Sequence, residues 1–152
     1  MASAGTAPAP LNNTATVARA TALARVRVSA RWFYWIAGLS LINSAVVIFG
    51  GSFHFVVGLG ITSVVDALTK QAGTAGIVLD LIINGFVAAL FVLFGSCGSK
   101  AQKWAFFAGM GLYALDGLLL LMARDVLSVG FHAYALFCIY RGLAATEAAV
   151  EA

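Results

Sequence analysis

The chain has 152 residues, of which 62% are hydrophobic and only 10% charged, where a soluble domain carries roughly a quarter charged. So little polar surface cannot cover a water-soluble globule; the length is that of one domain, and the apolar runs make lipid its solvent. The formal net charge of +3 does not point to nucleic acid, because the bases flank apolar spans instead of alternating with aromatics on a polar face, where they read as a topology signal.

In chain order, residues 1–30 are rich in Ala, Thr and Ser, hold both prolines (Pro8 and Pro10), and carry Arg19, Arg25 and Arg27 without an acidic residue. This predicts a disordered basic cytoplasmic tail that passes into a weakly helical stretch. An acid-free start of this kind also fits an organellar transit peptide, but a bacterial cytoplasmic tail is the favoured reading. The first apolar run, about 32–50, opens with Arg31-Trp32-Phe33-Tyr34-Trp35, a cationic anchor followed by an aromatic belt that fixes its depth at a headgroup boundary.

Residues 53–70 are apolar, yet His54, Gly58, Thr62, Asp66 and Lys70 recur every four positions and form a polar or small stripe. Such a helix lies along the membrane surface or packs a polar edge on its neighbours, so an interfacial or re-entrant helix is predicted here. Further spans follow at about 75–95, 104–122 and 126–143. Ser99 and Gln102 are spaced as a capping box for the third span, and Asp125 is placed to cap the fourth after a tight turn at Ala123-Arg124-Asp125. Residues 144–152 read as a cytoplasmic tail.

The predicted fold is therefore all-α: a polytopic transmembrane bundle of four helices plus one interfacial or re-entrant helix. With four spans and the N-terminus inside, Arg19, Arg25, Arg27, Arg31, Lys100, Lys103 and Arg141 are cytoplasmic and only Lys70 and Arg124 face outward. Making 53–70 a fifth span would weaken that bias to six against three, so the positive-inside rule favours four. Gly85 and Ala89, and Ala105, Gly109, Tyr113 and Gly117, place small groups four apart and predict close packing of the second and third helices, within one chain or against a second copy or another membrane protein.

Each span carries a polar group that hydrocarbon penalises: Asn43, then Asp80 and Asn84, then Asp116, then His132. A charge at mid-membrane costs roughly 2.5–3.5 kcal/mol on insertion scales, so these side chains should face the bundle interior or water. Asp116 and His132 stand equally far from the turn at Arg124, which sets them level in the membrane and able to pair. Three readings compete for this cluster. An interhelical hydrogen-bond network in a structural or accessory protein is favoured. An outward-facing site for a small solute, an ion or a proton comes second. A metal or haem site on His132 and His54 comes third, with no HxxxH or CxxCH motif behind it.

Cys97 and Cys138 stand alone, without a CxxC or Cys/His cluster, and are expected as free thiols. Neither a GxSxG elbow, a Walker loop nor HExxH is present, so no catalytic residue and no cofactor is assigned. Gly58-Leu59-Gly60 and Gly109-Met110-Gly111 are lone GxG pairs in apolar runs and read as helix packing or bending positions.

The stretches Arg31-Trp32-Phe33-Tyr34-Trp35-Ile36-Ala37-Gly38-Leu39-Ser40, Gly58-Leu59-Gly60-Ile61-Thr62, Tyr113-Ala114-Leu115-Asp116-Gly117 and Gly130-Phe131-His132-Ala133 resemble segments of small bacterial integral membrane proteins that carry no assigned function. The resemblance spans about residues 31–143. It implies a bacterial inner-membrane setting and no activity.

Overall fold

A computed structural model of the chain describes residues 13–48, 60 and 73–151, a few of them by backbone alone. Among these residues the secondary structure is entirely helical: α1 (Asn13–Ile48), α2 (Gly73–Ser99), α3 (Lys103–Met122) and α4 (Val126–Glu151). Three stretches are long and apolar enough to cross a membrane, Leu81–Ser99, Lys103–Met122 and Val126–Ala149. At 1.5 Å per residue, α3 measures about 30 Å, the thickness of a bilayer core. The predicted interfacial helix at 53–70 lies outside the described residues except for Gly60.

The burial pattern is the reverse of a soluble protein's. Ile82, Phe86, Phe107, Leu115, Met122 and Val126 are each more than 60% exposed, while Asn43, Asn84, Asp116, His132 and Thr146 are nearly sealed inside. Water would penalise the outer surface and hydrocarbon would not, so the chain is an α-helical membrane protein.

The helices meet along seven-residue stripes. On α1 the inward positions are Ala22, Val26, Ser29, Ala30, Phe33, Ile36, Ala37, Ser40, Asn43 and Ser44; on α4 they are Ser128, His132, Ala135, Ile139, Gly142, Thr146 and Ala149, with Leu143 and Ala145 beside them. Alternating steps of three and four keep a seam facing its partner, the geometry of nearly parallel or antiparallel helix pairs. Each helix packs on two others: α1 on α2 and α4, and α3 on α2 and α4. Contacts between Tyr34 and Ser96 and between Ser44 and Asn84 set α1 antiparallel to α2. The short turns at Lys100–Gln102 and Ala123–Asp125 reverse the chain between the remaining neighbours.

Rings from three of the helices fill the centre. Phe33 of α1 lies within 6.3 Å, centroid to centroid, of Phe91, Phe94 and Phe106, and Phe91 stands edge-on to Tyr113 at 6.0 Å. The Phe33 ring reaches across to α3 because Gly109 offers no side chain; a Cβ there would collide with the ring. Gly142 likewise admits Ser29 and Phe106. The small stripe expected on α3 is thus buried at Ala105, Gly109 and Tyr113, but its filler is a phenylalanine from α1. On α2 the stripe expected at Gly85 and Ala89 does not pack: Ala89 is exposed, and nothing lies within 4 Å of a Cβ built on Gly85. The contact face runs instead through Asn84, Ala88, Phe91, Gly95 and Gly98, because the aromatic rings and not the small residues carry most of the area.

Both turns are closed in one way. Ala101 N–H donates to Gly98 C=O and Gln102 N–H to Cys97 C=O, while Arg124 N–H donates to Leu121 C=O and Asp125 N–H to Leu120 C=O. These are the paired bonds of a Schellman ending, with Ala101 (φ 59°) and Arg124 (φ 60°) in the left-handed position that glycine usually takes. Asp125 caps α4 as expected, its Oδ1 accepting the Ser128 N–H at 3.1 Å and its Oδ2 the Ser128 hydroxyl at 2.5 Å. The capping box expected at Ser99 and Gln102 does not form. Ser99 ends α2 and donates its hydroxyl to Gly95 C=O, and Gln102 Oε1 accepts from the Trp104 indole N–H.

At both ends of the chain the helices reach further than the apolar runs. Residues 13–30 belong to α1, where a disordered tail passing into a weakly helical stretch was expected, and α4 runs on to Glu151 through the 144–152 stretch expected as a cytoplasmic tail. The two extensions support one another: Ala22 and Ala149 are buried at the far ends of these helices, and Val26 and Ala30 belong to one buried cluster with Leu143 and Ala145. Small faces of Ala, Ser and Thr have low hydropathy, so they escape a search for apolar runs, yet against each other they exclude water.

Candidate functional site

Asp116 of α3 and His132 of α4 face each other across the α3–α4 seam. Each sits six positions from the turn end of its helix, about 9 Å in. Asp116 Oδ2 lies 2.8 Å from His132 Nε2, and the two residues are only 5% and 2% exposed. The imidazole is held on three sides. Its Nδ1 lies 2.8 Å from the Ser128 carbonyl one turn earlier, Tyr113 stacks on its face at 4.1 Å and 14°, and Gly117 leaves room at its Cβ.

These contacts determine the proton arrangement. A carbonyl only accepts, so Nδ1 carries a hydrogen and donates to Ser128. Asp116 Oδ2 also accepts the Gly60 backbone N–H at 2.7 Å. One proton therefore lies between Oδ2 and Nε2: on nitrogen it makes an imidazolium–carboxylate pair, on oxygen a neutral acid and a neutral imidazole. In both states the pair has zero net charge: the neutral state avoids burying ions, and in the ionic state mutual attraction offsets part of the desolvation of the two groups.

A second polar contact joins α1 to α2. Asn84 Nδ2 donates to Ser44 Oγ at 2.8 Å, and both side chains are buried. Asn43, next to Ser44, is buried on the same side of α1. The buried hydroxyls of Ser40 and Tyr113 have no hydrogen-bond partner among the described residues.

Of the five residues predicted for the cluster, the structure pairs Asp116 with His132 and buries Asn43 and Asn84 on the facing helices. Asp80 lies in α2 with its side chain outside the description, and His54 lies outside the described residues altogether. Sequence reasoning missed four participants. Tyr113 shares a helical face with Asp116 three positions on, so spacing could have found it; Ser44 only adjoins Asn43, and Ser128 acts on His132 through its backbone carbonyl. Gly60 contributes only a backbone N–H and a missing side chain, which no residue pattern announces; a Cβ there would press on Leu120 and the Asp116 carbonyl.

As a metal ligand His132 would have to surrender a bond, since both its ring nitrogens are engaged. No group of three or more His, Cys, Asp or Glu side chains that could hold a metal ion occurs among the described residues. Cys97 and Cys138 are unpaired thiols. No family model, no curated protein and no solved structure matches the chain.

Proposed function

We propose that this is a small structural or accessory protein of a bacterial inner membrane, with four crossings, both ends cytoplasmic, and a buried polar network that sets how the helices face one another. The observation that carries the reading is closure. Asp116 and His132 bond to each other, the Ser128 carbonyl holds the other ring nitrogen, Asp116 Oδ2 also accepts the Gly60 N–H, and almost none of their surface reaches solvent. A group arranged to bind and release a solute needs an approach path; a group arranged to fix rotation does not. The orientation rests on Lys100 and Lys103 at one turn and Arg25, Arg27 and Arg31 at the same end of α1, against the single Arg124 at the other turn, by the excess of basic residues on the cytoplasmic side. In this reading α1 enters the membrane at Arg31 and crosses as the first span.

A second reading, a proton-linked site, draws on one observation: Oδ2 and Nε2 lie 2.8 Å apart, a contact across which a proton can change atoms without changing net charge. One experiment separates the two. Asp116→Asn and His132→Gln are reconstituted in vesicles loaded with a pH-sensitive dye, and folded yield and proton flux are compared with the wild-type chain. The structural reading expects lower folded yield and no wild-type flux above that of empty vesicles. Flux in the wild-type vesicles that both variants abolish at normal yield overturns it in favour of the proton site.

A further inference from the structure

Two grooves follow one another along the seam between α1 and α4. The first, about 830 Å³, is walled by Arg25, Ser29 and Trp32 of α1 and by Phe137, Tyr140 and Arg141 of α4. The second, about 440 Å³, shares Val28 and Trp32 with it and continues through Arg31, Trp35 and Leu39 to Phe131. Arg25, Arg31 and Arg141 are exposed. None of them takes part in either ion pair of the described residues, and Glu147 on α4 is committed to Lys103 at 3.3 Å. No acidic side chain lines either groove.

From these features we infer that the α1–α4 seam is a binding site for one anionic phospholipid. Two guanidinium groups on facing walls of a groove without a carboxylate repel each other until an anion lies between them, and their planar forks fit phosphate oxygens. The headgroup phosphate sits between Arg25 and Arg141 with Arg31 at its upper edge. The groove then changes character along its length. Beyond Arg31 it is lined by Trp35, Leu39 and Phe131, on the side where α1 enters hydrocarbon, and this part takes an acyl chain. A free phosphate would use the basic end and leave the apolar end empty, so a lipid matches the whole surface. Basic pockets between helices at the cytoplasmic face and indole rings at headgroup depth are the physical means by which membrane proteins select acidic lipids. The site is independent of the Asp116–His132 pair and rests on the proposed entry of α1 into the membrane at Arg31.

The test uses the full chain purified in a neutral detergent. Native mass spectrometry counts bound lipid while phosphatidylglycerol, phosphatidylcholine or inorganic phosphate is titrated in. The expected result is one phosphatidylglycerol per chain, retained in preference to phosphatidylcholine. Arg25→Gln with Arg141→Gln should weaken it by roughly twentyfold or more, each basic group near the surface contributing about fivefold. Val28→Trp, which fills the junction of the two grooves without altering charge, should produce a comparable loss. Arg19→Gln with Lys100→Gln removes the same charge from exposed positions outside the grooves and should leave binding nearly unchanged. Circular dichroism of each preparation establishes that helix content is preserved. Equal retention of the two lipids, an equal loss in the Arg19 and Lys100 control, or equal occupancy by inorganic phosphate overturns the inference.

Discussion

Asp116→Asn is close to isosteric, so a site that merely fills space would tolerate it. The geometry predicts otherwise. One oxygen, Oδ2, accepts the Gly60 N–H at 2.7 Å and shares a proton with His132 Nε2 at 2.8 Å. A carboxyl oxygen can do both, as an anion that accepts twice or as a hydroxyl that accepts once and donates once. An amide cannot. If the substituted side chain presents its oxygen, Nε2 must be protonated while Nδ1 already donates to Ser128, and an imidazolium is buried without a counter-charge. If it presents its NH2, that group points its hydrogens at the Gly60 N–H. The substitution therefore loses one buried hydrogen bond and leaves a donor unsatisfied, about 1–2 kcal/mol between the membrane and soluble-protein scales for such losses. Adding His132→Gln supplies a neutral donor for the new amide oxygen and should recover about 0.6 kcal/mol of coupling, the mean for an interhelical hydrogen bond in a membrane. Equilibrium unfolding in mixed neutral and anionic detergent, followed by far-UV circular dichroism, measures both single variants and the double. Asp116→Asn within about 0.3 kcal/mol of wild type, the scatter of such cycles, would refute the assignment of that shared proton.

Three further outcomes are expected in the same assay. The Ser128 hydroxyl and then its backbone N–H hold the Asp125 carboxyl below the usual carboxylate range, so its ionised form stabilises the fold above the unfolded-state value and that contribution disappears as pH falls through the folded-state value. Asp125→Ala should thus cost about 1 kcal/mol at neutral pH, with the gap to wild type closing in strong acid. Ala101→Gly and Arg124→Gly relieve left-handed strain of about 1–2 kcal/mol each, partly offset by the freer unfolded chain, and should raise stability modestly. Gly109→Ala drives a Cβ into the Phe33 ring and should cost about 1–3 kcal/mol, whereas Gly111→Ala, with nothing within 4 Å of a Cβ built there, should stabilise its helix by up to about 1 kcal/mol.

Hydropathy made most of the helices legible. The predicted spans at 75–95, 104–122 and 126–143 correspond to α2, α3 and α4, because a length of apolar chain is a property of sequence alone. The pairing of Asp116 with His132 was also readable, since a hairpin brings residues equally distant from its turn to one level. Three features were not. The packing of 13–30 against 144–151 depends on two modest Ala-rich faces meeting each other, and neither is apolar enough to stand out alone. The idle positions of Gly85 and Ala89 follow from Phe33 filling the space against α3, a matter of side-chain reach across the centre. The Ser128 carbonyl and the Gly60 N–H act through backbone, which carries no residue signature.

The order in which the polar partners occur along the chain bears on how the protein enters its membrane. Asn84 finds Ser44 on a helix made before it, Asp116 finds the Gly60 amide behind it, and His132 follows Asp116 after a single turn and brings its own acceptor at Ser128. For each of these bonds the later residue emerges from the ribosome with its partner already synthesised. Asp116 waits only for the next helix before its proton is shared, because a single turn separates it from His132.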